Sequence, residues 1–223
     1  MRRALVLALL LLAACGRPLA PAERAFLANL HGTELNHRIR IHDGFRNDRR
    51  RLPKPRRVAC GDLIFPPAKG PPYYGSSAGI TLFNHIFIRD DWYAPDMTGG
   101  WPDSLDLAQA MLLAHEMLHA WQWQHRATTG YHPLRAAVEH IGRPDPYLFD
   151  PDTPADFAAF GYEQQGAIVE EYLCCRALAP DAERTRRLHA MLAAALPVTP
   201  LSTPLARNVR LPWDGVQVDG ICG

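Results

Sequence analysis

An α+β fold, a small mixed sheet packed on long helices, follows from three features of the sequence. Segments rich in β-branched and aromatic residues gather in its first ninety residues, the clearest being Gly79–Ile88. Long apolar-rich stretches over 104–127 and 160–178 then carry helical spacing. The chain has 223 residues, 48% of them hydrophobic, enough for one sizeable core and too few for two. Its 24 basic and 23 acidic residues leave a formal charge of +1. No basic excess points to nucleic acid, and no acidic excess to a disordered tail. The same composition excludes a coiled-coil rod, a collagen-like chain, a multi-span membrane protein and a disulfide-dense miniprotein.

Arg2 and Arg3 precede an apolar run from Ala4 to Ala14, too short to cross a bilayer core, which needs about 20 residues. A charged start, a short apolar stretch and small residues before a cut site describe a signal peptide over 1–14. Leu12-Ala13-Ala14-Cys15 resembles the lipobox of bacterial lipoproteins, which implies lipidation of Cys15 after cleavage. Gly16 rather than Asp follows the cysteine, and by the same resemblance the chain is expected at the periplasmic face of the outer membrane. Residues 15–22, Pro- and Ala-rich, read as a lipidated tether. A single domain is expected over 23–223.

Glu23–Leu30 has the content of a short helix, and Arg38–His42 alternates as a strand does, ending at Asp43-Gly44. Seven arginines and lysines with two prolines over 46–57 read as a solvated loop. Residues 66–78 are loop-like, and Gly79–Ile88 reads as one strand. Asp103-Ser104 offers a helix N-cap, and Gly130 stands where a helix C-terminus is expected. Residues 141–155, with four prolines, should be irregular. Helices follow over Phe160–Leu178, stopped by Pro180, and Asp181–Leu196. The tail reads as irregular, with a short strand at Val216–Val218. Cys60, Cys174, Cys175 and Cys222 remain after the leader. Neighbouring cysteines rarely bond each other, so one or both of Cys174 and Cys175 are expected to reach Cys60 and Cys222, with the pairing open.

The chemistry concentrates in His115-Glu116-Met117-Leu118-His119, the His-Glu-x-x-His pattern of zinc peptidases. Helical residues four apart differ by about 40°, so both imidazoles face one way and supply half of a tetrahedral Zn2+ shell. Glu116 is turned about 100° from His115, beside the metal, where a general base must stand. A third ligand must come from elsewhere. Glu163 and Glu170, seven apart on one helix face, both qualify. His125, His132, His140 and His189 compete. Gln122 replaces the glycine that would turn the chain and bring His125 to the metal, so a glutamate is favoured. Gln122 lies on the ligand stripe, where a supporting role is expected. Trp121 and Trp123 point away from that stripe and read as core.

The stretch Leu112–Gln122 resembles the Leu-Leu-Ala-His-Glu-Leu-x-His-x-x-Gln helix of zincin-like, gluzincin-type metallopeptidase domains. These occur among bacterial contractile-injection-system effectors and related secreted proteins. Arg40–Asp43, Ile80–Ile88 and Tyr93-Ala94-Pro95 precede the motif in the matching order, and the resemblance spans about residues 38–178. Tyr162–Val169 is similar to the family's Glu-x-x-Ala-Asp/Glu segment, which implies Glu163 as the third ligand. The family's acid falls on Ala167, a departure. Its task of orienting a ligand histidine passes to Glu170 or goes unfilled.

The resemblance implies a zincin-like fold with an edge strand near 80–88 bordering the cleft, where an extended peptide can pair. It implies a zinc metallopeptidase in which His115, His119 and Glu163 bind the metal and Glu116 activates zinc-bound water. Tyr131, His132 and Tyr147 are candidate donors to the developing oxyanion. The expected partners are a peptide or protein substrate, cell-wall peptide included, and the membrane through Cys15. The alternative is a non-catalytic module that keeps the scaffold for binding or assembly at the cell envelope.

Overall fold

The computed structural model describes residues 16–33, 38–47, 49–52, 58–141 and 145–223. The leader and Cys15 lie outside these residues, as do positions 53–57 of the basic run. Helix α1 spans Pro21–His31, with Pro21 in the first turn, where its missing N–H costs nothing. The Glu23 carboxylate reaches back 2.7 Å to the Ala20 N–H. The stretch 16–20, expected as tether, is instead docked on the body. Arg17 exchanges two backbone hydrogen bonds with Ile41, 2.9 and 2.8 Å long. Its guanidinium makes two 2.7 Å bonds to the fully buried Glu23, and Leu19 enters the core. An ion pair from a half-buried arginine to a buried carboxylate anchors what composition alone describes as a linker.

Strands β1 (Arg40–Phe45), β4 (Gly79–Leu82) and β5 (His85–Arg89) form a sheet in the order β1-β5-β4. β1 runs parallel to β5 with Ile41 opposite Ile86, and β4 runs antiparallel to it with Thr81 opposite Ile86. The single strand expected over 79–88 is therefore a hairpin. The chain reverses at Phe83-Asn84, and Phe83 takes a positive φ of 61°. A tight hairpin needs this backbone geometry, ordinarily supplied by Gly or Asn. Here an aromatic residue supplies it and hides the turn in an apolar string. β2 (Arg50–Leu52) and β3 (Tyr73–Gly75) pair antiparallel where loop is expected. Between them lies the short helix α2 (Cys60–Leu63).

β6 (Leu105–Asp106) pairs in parallel with β7 (Val209–Arg210) and fastens the tail beside the start of the motif helix. The strand expected at 216–218 does not form. Helix α3 spans Leu107–Gln124, capped by the Asp106 side chain, which accepts from the Gln109 N–H at 3.2 Å. Asp106 displaces Asp103-Ser104 as the cap because Leu105 and Asp106 are held in β6. α3 is apolar on nearly every side. Leu107, Ala110, Leu113, Ala114, Met117, Leu118 and Ala120 have no exposed surface, as befits a helix enclosed by its neighbours.

His125 interrupts the helical stretch, and the single turn α4 (Arg126–Thr129) ends at Gly130, whose φ is 65°. α5 (Pro133–Glu139), not foreseen, starts at a proline with His132 as its N-cap. A 3-10 turn (Phe157–Ala159), α6 (Tyr162–Leu178) and α7 (Glu183–Ala193) complete the elements. α6 and β4 both pack on α3. Disulfides Cys60–Cys174 and Cys175–Cys222 tie α2 and the tail to the end of α6, so each of the adjacent cysteines reaches a distant partner and the open choice of pairing is resolved. No helix among the described residues is long and apolar enough to cross a membrane.

Candidate metal centre

The middle of α3 presents His115 and His119 toward the first turn of α6. Their Nε2 atoms are 3.2 Å apart, and Glu163 Oε2 lies 3.4 Å from one and 3.7 Å from the other. All three side chains are buried. A tetrahedral shell with bonds of 2.0–2.1 Å sets its ligand atoms about 3.3 Å apart, so the trio has the spacing of one face of such a shell. Among the described residues this is the one His/Glu group whose atoms could hold a metal ion.

Electrostatics ask for a cation here. Burial pushes the Glu163 carboxyl up, yet the imidazoles of His115, His119 and His140 hold it far below the usual carboxylate range. Burial disfavours charge on His115, but the Glu170 and Glu163 carboxylates raise its pKa well above the ordinary histidine value. Two carboxylates facing one buried ring favour a positive charge among them, from a proton or a metal ion.

The surroundings fix each donor. Glu139, at the end of α5, accepts from the Tyr162 and Glu163 N–H groups at 2.9 and 3.0 Å and so caps α6. Its neighbour His140 places Nε2 3.2 Å from Glu163 Oε1, leaving Oε2 for the cluster. Glu170 Oε1 is 2.9 Å from His115 Nδ1, close enough for an ion pair but poorly aligned for a hydrogen bond. The Tyr131 ring stacks on His119 at 5.5 Å. Gly166 lets α6 approach the His115 ring, since a Cβ there would fall 2.4 Å from Cε1.

Glu116 faces the opposite flank. Its Oε2 accepts the Thr81 hydroxyl of β4 at 2.7 Å, and a Cβ at Gly79 would fall 2.7 Å from Oε1. Burial raises its pKa, against the pull of His115, His119 and Thr81. The edge strand β4 thus seats the carboxylate, with Gly79 leaving room for Oε1 and Thr81 holding Oε2.

The sequence-predicted residues sort clearly. His115, His119 and Glu163 meet. Glu170 stands behind His115, outside the trio. His125 is exposed and points its Nδ1 at the Trp121 carbonyl. His189 bonds the Thr199 carbonyl, and His132 caps α5. Tyr131 is buried in its stack. Tyr147 lies over the site, its ring 5.8 Å from His115 and its hydroxyl 3.5 Å from Ser77. Trp121 packs against the core, whereas Trp123 forms a surface cluster with Phe83, Arg126 and His132. Thr81, Glu139 and the contact of His140 with Glu163 escape sequence reasoning. The adjacent pair Glu139-His140 lacks a motif, and only the return of α6 against α5 gives it a task.

No family model matches the chain, and no curated protein matches it. Among solved structures, the effector domain of Pseudomonas aeruginosa VgrG2b is similar over 82% of this chain and 86% of that one, at 22% identity and a TM-score of 0.49.

Proposed function

We propose that the chain is a zinc-dependent peptide hydrolase with a zincin-like site, in which His115, His119 and Glu163 hold the metal and Glu116 is the general base. The observation that carries this reading is the convergence of three buried donor atoms, 3.2–3.7 Å apart, beside a buried carboxylate from the same helix. When bound, Zn2+ would act as a Lewis acid that lowers the pKa of water and polarises a carbonyl.

The remaining work falls to the chain. Glu116, pinned at Oε2 by Thr81, offers Oε1 to take a proton from the attacking water and pass it to the leaving amine. His140 and Glu139 hold Glu163 and the start of α6 in place. Burial, then the nearby Glu163 charge, keeps the Tyr147 hydroxyl protonated, so it can donate to the substrate oxygen that gains charge. β4 is an edge strand among the described residues, and an extended peptide can pair along it.

A cell-envelope location goes with this reading. Lipid on Cys15 would hold the chain at the membrane, and the docking of Arg17 and Leu19 would bring the body close to it. Two disulfides suit an oxidising compartment. The test is Glu116→Gln. The variant should keep one equivalent of zinc and lose hydrolysis of a mixed peptide library, with chelator abolishing the wild-type activity. Unchanged turnover would overturn the assignment. Absent turnover in a zinc-loaded wild type would favour the non-catalytic binding module.

A further inference from the structure

Behind His119 runs a chain of directed hydrogen bonds that starts at Gln122, the last residue of the motif helix's ligand stripe, and continues to residues outside any motif. His119 Nδ1 lies 2.9 Å from Gln122 Oε1, Gln122 Nε2 donates to Gln165 Oε1 at 2.7 Å, and Gln165 Nε2 donates to the Phe160 carbonyl at 2.9 Å. All three side chains are buried. Side-chain amides can be placed either way round, but a backbone carbonyl can only accept. The Phe160 oxygen therefore obliges Gln165 to present its NH2 to it and its oxygen to Gln122. Gln122 must then turn its NH2 toward Gln165 and its oxygen toward His119. An oxygen opposite Nδ1 requires the proton on Nδ1, which leaves the lone pair on Nε2, the atom that meets His115 and Glu163.

We infer that Gln165 is a positioning residue, which sets the metal-competent tautomer of His119 from two side chains away, with the Phe160 carbonyl as the fixed reference. The inference rests on the metal site proposed above. Reversal of the Gln122 amide would place NH2 against Nδ1, move the proton to Nε2 and block that nitrogen as a ligand. Without Gln165 nothing on this path opposes the reversal. Substitutions that disturb the partners of ligand histidines weaken metal binding by about 10- to 100-fold.

The test pairs Gln165→Leu with the double variant Gln165→Leu/Gln122→Glu, reading Zn2+ affinity by competition with a chromophoric chelator. A carboxylate accepts from His119 whichever way it is turned. The single variant should therefore lose about 10- to 100-fold in affinity, and the double variant should recover most of the loss. A packing role for Gln165 predicts no recovery. Nitrogen-15 NMR of the metal-free wild type gives a second reading, free of any folding defect in the variants, in which His119 should carry its proton on Nδ1. Wild-type affinity in Gln165→Leu, no recovery in the double variant, or a proton on Nε2 would each overturn the inference. A wild type that binds no zinc but shows the Nδ1 proton would refute the metal site and leave the tautomer control standing.

Discussion

His31, at the end of α1, is enclosed, and neither ring nitrogen has a hydrogen-bond partner among the described residues. Burial lowers its pKa from 6.5 to about 3, and the neighbouring His125 pushes in the same direction. The depressed value fixes the sign. Above pH 6.5 the ring is neutral in both states and contributes nothing to pH dependence. Below pH 6.5 the unfolded chain takes up a proton that the folded chain refuses. Stability then falls until the folded pKa is reached near 3. At 1.36 kcal/mol per unit, the loss at pH 5 is about 2 kcal/mol, or about 4–8 °C in Tm for a domain of this size. His31→Leu removes the titration. Urea unfolding of both proteins at pH 7.5 and 5.0, with chelator throughout, isolates the histidine in a double difference, because every other group titrates alike in both. The variant should lose about 2 kcal/mol less than wild type between the two pH values. Equal losses would refute the reasoning.

Two further outcomes follow, one from a group beside Glu116 and one from the buried ion pair next to the disulfides. Thr81→Val removes the hydroxyl that holds Glu116 Oε2, so kcat should fall about tenfold while zinc content, measured by elemental analysis, stays at the wild-type level. Arg184 pairs with the buried Glu171 at 3.0 Å, and Arg184→Leu leaves that carboxylate without its cation. Burial already raises the Glu171 pKa, and loss of the arginine should raise it further. The variant should lose about 3 kcal/mol or more at pH 7.5 by urea unfolding, and the loss should shrink as the pH falls and the carboxyl takes up a proton.

The two histidines and Glu116 could be read from sequence because an i, i+4 spacing on a helix fixes their relation before any tertiary packing. Helical spacing narrows the third ligand only to Glu163 or Glu170, since the choice between them depends on where α6 crosses α3, and it was the family resemblance that singled out Glu163. A steric rule about adjacent cysteines excluded a Cys174–Cys175 bond, but which of the two reaches Cys60 and which Cys222 depends on how α2 and the tail meet the end of α6. The hairpin was not legible, because a positive φ at Phe83 has no compositional signature. α5 also went unseen, although Pro133 marks its first turn, because its seven residues carry too few apolar positions for a period to show. The docked Arg17 segment was hidden for a different reason. Its anchor, Glu23, looks from sequence like an ordinary first-turn acid and becomes a buried counterion only when residues 94–97 fold over it.

The two disulfides also bear on how the protein is handled. Sulfurs of Cys60, Cys175 and Cys222 lie within 4.8 Å of one another, and Cys174 is bonded to the first. Recombinant material made in a reducing cytoplasm would carry thiols at this spot, and clustered thiols are themselves avid zinc binders. Such a preparation would offer metal a second place to bind, besides the one proposed at His115, His119 and Glu163. Metal counts that test the proposed site should therefore be made on protein with both disulfides formed.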